Sequence, residues 1–117
     1  MGRKTPGAQG EMLPGTLDLM ILRTLSAAAA HGHTIAHVIE QQSDGVLEVE
    51  HGSLYPALYR LEDQGLIAAY WGTSDNNRRA KFYRITPRGR KHLARERSRW
   101  EALVSAVTRV LGPAESA

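Results

Sequence analysis

Seven cationic side chains, Arg78, Arg79, Lys81, Arg84, Arg88, Arg90 and Lys91, fall between Gly72 and Lys91 against the single Asp75. That is a local net charge of +6 in a 117-residue chain whose total is +3. The stretch from Thr34 to Gly65 runs the other way, with Arg60 alone against Glu40, Asp44, Glu48, Glu50, Glu62 and Asp63, a net of −5. Positive charge gathered on one segment suits a polyanion whose phosphates must be met on one face. A basic cluster is also compatible with plain solvated surface. The surrounding pattern favours the first reading, because two β-type runs flank the polar Asp75-Asn76-Asn77 turn and a helix start follows at Thr86-Pro87.

Other chemistries find fewer residues. His33 and His37 stand at i, i+4 with His31 just before, but no carboxylate or thiol has a matching spacing, so no metal site is expected. Glu62 and Asp63 are adjacent on a helix and point apart, and no glycine-rich phosphate loop leads into a lysine. The chain reads as a non-enzyme without a cofactor. It has no cysteine, hence no disulfide framework and no thiolate ligand, which fits a reducing compartment. The longest apolar stretch, Leu17 to Ala30, is interrupted by Asp18, Arg23, Thr24 and Ser26 and is too short to span a bilayer. With no signal-peptide pattern and no membrane partner, the expected location is the cytoplasm.

These residues need elements to hold them. Residues 1–12, rich in Gly and Pro, read as a flexible arm. Leu17, Met20, Ile21, Leu22 and Leu25 recur at helical spacing, and Ala27 to Ala30 extend that helix up to Gly32. Thr34 is a plausible N-cap for a second helix with Ile35, Val38 and Ile39 as its stripe, closing near Ser43-Asp44-Gly45. Val46 to Glu50 suggests a short extended piece. Ser53 then caps a third helix, with Pro56 in its first turn, Leu54, Leu58 and Leu61 facing a core, and Gly65 ending it in the left-handed conformation. Ser53, Tyr55, Tyr59 and Arg60 are left for another surface, as in a helix that reads a groove, although each tyrosine could equally close the core and wet only its hydroxyl.

Leu66 to Trp71 and Lys81 to Ile85 read as a hairpin whose tip, Asn76 and Asn77, tolerates left-handed backbone. Arg78, Arg79 and Lys81 follow the tip and are placed for phosphates, while Trp71 is expected to anchor the strand against the helices. Thr86 as N-cap and Pro87 open a long helix to about Leu111, stopped by Gly112-Pro113. Along it Leu93, Trp100, Leu103, Val107 and Val110 form a near-heptad seam, with Val104 and Leu111 beside it, and such a seam needs a mate. The expected fold is mainly α with a small β-hairpin: a winged helix-turn-helix domain over residues 13–86, a C-terminal dimerisation helix over 87–112 and a tail at 113–117.

The segments LPGTLDLMILRTL (Leu13 to Leu25), HGHTIAHVIEQ (His31 to Gln41), HGSLYPALYRLEDQGLI (His51 to Ile67) and WGTSDNNRRAKFYRITPRGRKHL (Trp71 to Leu93) resemble the PadR family of bacterial transcriptional regulators. The resemblance implies a homodimeric repressor that binds double-stranded DNA. It puts the recognition helix on Ser53 to Gly65, with Ser53, Tyr55, Pro56 and Tyr59 at its DNA-facing start, and the wing on Asn76 to Lys81. Some relatives bind flat aromatic effectors at the dimer interface, so Trp100 has two readings, stacking on a small planar effector or packing between subunits. A protein-docking surface for an acidic partner is the remaining alternative, and the salt dependence of DNA binding separates the two.

Overall fold

A computed structural model describes residues 15–114, so the N-terminal arm and the last three residues of the tail lie outside the described residues. The first helix, α1 (Thr16–Ala27), is shorter than expected. Alanine's helix propensity is a weak preference that tertiary pairing can override. Here Ala28 turns extended, and Ala30 and His31 form a short strand, β1, that pairs antiparallel with Tyr83 and Phe82. The alanine-rich run carries no local signal for this strand.

His31, rather than Thr34, caps the second helix, α2 (Gly32–Gln42): its ring Nδ1 accepts from the Thr34 backbone N–H at 3.5 Å. Gly32 belongs to α2 rather than to the end of α1. Its lack of a side chain matters, since a Cβ there would lie 2.7 Å from the Tyr55 hydroxyl. The third helix, α3 (His51–Asp63), begins two residues before Ser53, at the Glu50 cap. Pro56 is therefore its sixth residue and sits past the first turn. The N–H it lacks leaves the Gly52 carbonyl without its helical donor, and Gly52 is exposed, where water can serve it. Gly65, at φ +74°, ends the helix as anticipated: its N–H donates to Glu62 O and that of Leu66 to Leu61 O, at 3.0 and 2.9 Å.

Strands β2 (Ile67–Thr73) and β3 (Arg79–Ile85) form the hairpin, and the sheet order is β1-β3-β2. Ile21, Leu22, Ile35, Leu54, Leu58, Leu61 and Ile67 are the fully buried centre of one core made by the three helices and the sheet. Each such side chain contributes about 1.5–3 kcal/mol by leaving water.

The long helix α4 (Pro87–Leu111) starts at a tight joint. The Thr86 hydroxyl accepts from the Gly89 N–H at 3.0 Å and donates to the Gly65 carbonyl at 2.7 Å. Gly89 is buried against the Leu66 carbonyl, where a Cβ would come within 2.0 Å. From there α4 runs antiparallel along α1: Arg90 reaches the Ser26 carbonyl near one end, and Trp100 and Leu103 lie beside Leu19 and Gly15 near the other.

Candidate nucleic-acid interface

Since Leu54, Leu58 and Leu61 are spent on the core, α3 turns Ser53, Tyr55, Pro56, Tyr59 and Arg60 outward, all of them exposed. They are not equally free. The Tyr55 ring lies over Gly32 and edge-on to His51 at 5.5 Å, so it seats α3 against α2 and is only 37% exposed. The Arg60 guanidinium is held by Asp18 of α1 at 2.7 Å, which commits it to a helix–helix contact more than to a groove. Tyr59, at 62% exposure, is the open one.

The wing tip is built by Ser74. Its hydroxyl donates to Asn76 Oδ1 at 2.7 Å and lies 3.0 Å from the Arg78 carbonyl, and it accepts from the Arg78 N–H at 3.3 Å. Asn77 takes the left-handed conformation at φ 61°, while Asn76 does not. Ser74 is not among the site residues expected from the sequence, although a serine opening a turn is the signal that points to it.

Three cations follow the tip and behave differently. Arg78 projects into solvent without an ion-pair partner among the described residues. Arg79 stacks its guanidinium 4.3 Å from the centroid of the Trp71 ring. Lys81 is turned back: its ammonium lies 3.5 Å from Glu62 of α3 and near the rings of Tyr59 and Tyr83. Trp71, expected to anchor the strand, is instead 59% exposed on the sheet face it shares with Lys81. Beneath Lys81, the buried Tyr83 phenol titrates above its ordinary value of 10.0, first because burial penalises the phenolate and then because the Glu62 carboxylate repels it.

The opposite sheet face carries Tyr70 stacked on Phe82 at 5.7 Å, with the His31 ring edge-on to Phe82 at 5.3 Å. His31 is thus a cap and a ring contact. Among the described residues no three His, Asp or Glu side chains gather as a metal site, and no helix is long and apolar enough to cross a membrane.

On α4, Leu93 packs partly buried against its own chain's core, so it leaves the free seam assigned to it. Trp100, Leu103, Val104, Val107, Val110 and Leu111 remain exposed. Trp100 divides two shallow crevices between α1 and α4, one beside Glu96, Arg99 and Leu103, the other beside Met20, Arg23 and Leu93.

The sequence model of the family described as "Transcriptional regulator PadR-like family" matches residues 21–95. A transcriptional regulator of Mycobacterium tuberculosis is 31% identical over 96 residues, spanning 74% of this chain and 89% of that protein. Among solved structures, a transcriptional regulator of Clostridium thermocellum superposes with a TM-score of 0.77 at 30% identity, covering 84% of this chain and 92% of that one. A PadR family regulator of Eggerthella lenta gives a TM-score of 0.70 at 30% identity, covering 86% and 85%. A PadR-like regulator of Bacillus cereus gives 0.75 at 26%, covering 90% and 100%. A helix with a free outer face beside a cationic wing, on this architecture and over this span of sequence, belongs to a regulator and not to an enzyme: the chain is a member of the PadR-like family of transcriptional regulators.

Proposed function

We propose that the chain is a homodimeric repressor acting in the cytoplasm, in which two copies of α3 enter successive major grooves of an inverted-repeat operator while the wings hold the flanking backbone. The observation that carries this reading is the junction of α3 with the wing, where Lys81 lies beside Glu62 and the Tyr59 ring. Ser53, Tyr55, Pro56 and Tyr59 offer hydroxyls and apolar edges suited to base edges, beside Arg78 and Arg79, which suit phosphates. Asn76 and Asn77 bring the tip close to the backbone, and Lys81 and Arg60 act from the joint between α3 and its neighbours.

Dimerisation through residues 87–112 is supported by the apolar face of α4, whose Leu103, Val104, Val107, Val110 and Leu111 are left exposed by the described residues. An apolar patch of this kind marks an interaction surface. A small planar aromatic effector is proposed for the crevices beside Trp100, where a second α4 would complete the walls, and its binding would change the spacing of the two reading heads.

Selection of bound duplexes from a random pool tests the core of this reading. A palindromic consensus with half-sites about 34 Å apart is expected. An asymmetric or absent consensus defeats it. Planar aromatic compounds screened for stabilisation of the protein and release of the selected duplex test the effector.

A further inference from the structure

Trp71 and Arg79 meet because of the hairpin register. Trp71 opposes Lys81 and Thr73 opposes Arg79, so the two are diagonal neighbours on one sheet face. The indole is 59% exposed, far more than a core tryptophan, and the guanidinium carbon lies 4.3 Å from its centroid. Burial therefore does not explain the residue; its contact with Arg79 does.

We propose that Trp71 is a positioning residue for DNA binding, whose ring face holds the Arg79 guanidinium flat so that its N–H edge meets a phosphate already ordered. The inference rests on the DNA-binding reading above. A guanidinium stacked on a ring keeps its planar fork of donors free, since the stack uses the face and hydrogen bonds use the edge. Of the three wing cations, Arg78 is unrestrained, Lys81 is tied to Glu62, and Arg79 alone is both restrained and without a carboxylate partner among the described residues. Ordering one long side chain at an interface costs roughly two- to tenfold in affinity, which the stack removes in advance.

The test measures anisotropy of a labelled duplex selected from a random pool, titrated with the full chain over a range of KCl. Trp71→Ala is expected to weaken binding roughly two- to tenfold while leaving the slope of log affinity against log salt unchanged, because no charge is removed. Arg79→Ala is expected to flatten that slope, and Trp71→Ala added to it to cost nothing further. Trp71→Phe, which keeps a ring face, is expected to restore most of the affinity. In the free protein the Arg79 Nε–Hε resonance should be shifted by the ring current and return to its ordinary position in Trp71→Ala. Unchanged affinity, additive losses in the double variant, or an unshifted Arg79 resonance overturns the inference. Additive losses would mean that Trp71 touches the duplex itself. Failure of the unaltered protein to bind any duplex at low salt defeats the DNA-binding reading instead.

Discussion

Two helices carry apolar stripes of similar make and end differently. In α3, Leu54, Leu58 and Leu61 are sealed from water by α1, α2 and β2, and the polar face is left to act outward. In the last three turns of α4, Leu103, Val107, Val110 and Leu111 stay in water, Val110 at 87% exposure. The first stripe is completed within the described residues and the second is not, so α3 reports on folding and the end of α4 on the proposed assembly.

Leu58→Ala should cost about 2–5 kcal/mol in denaturant unfolding, since it opens a cavity among fully buried neighbours. A cost below about 1 kcal/mol would mean that the α3 stripe is no more settled than that of α4. Replacing Leu103 and Val107 together by Asp should leave the far-ultraviolet circular dichroism intact while raising the dimer dissociation constant by about a hundredfold, roughly 2.7 kcal/mol, as read by sedimentation. Unaltered sedimentation would remove α4 from the interface and erase the contrast.

Smaller effects separate the jobs within the reading head. Arg78→Ala with Arg79→Ala should weaken binding to every sequence alike and flatten the salt slope by about 0.9 for each phosphate no longer neutralised. Tyr59→Ala should instead lower the preference for the selected operator over scrambled DNA about tenfold with the slope kept. A variant with full preference returns Tyr59 to a packing role against Lys81. The smallest effect is alkaline. Burial, and secondarily Glu62, raises the Tyr83 pKa in the folded chain above 10.0, so its share of stability is whole below about pH 10 and falls as pH climbs through the folded value. Tyr83→Phe should flatten that decline in melting temperature, and an unchanged decline would assign it to other groups.

Much of this was readable from residue order. The Gly65 stop, the Thr86-Pro87 start, the left-handed Asn77 and the Gly112 end are local, each set by backbone preference or a cap within a few residues. The basic wing was equally legible as composition. Partners distant along the chain were not. The choice between helix and strand at Ala30 depends on Tyr83, more than fifty residues on. The roles of Tyr55, Arg60 and Lys81 turn on Gly32, Asp18 and Glu62, none of which lies in the same element. Trp71 looked like an anchor because large aromatics are usually buried, and only the hairpin register put Arg79 on its face and left both in solvent.

The sequence by itself determined where most helices start and stop, where the hairpin turn falls, which stripe of α3 must hide and on which segment positive charge collects. These follow from interactions spanning a turn or two, whose free energies the local residues set. The tertiary structure alone decided which cations stay free, which are tied down and which apolar stripe remains open. Those outcomes depend on what the fold brings within about 4 Å, and residues tens of positions apart carry no mark of that meeting.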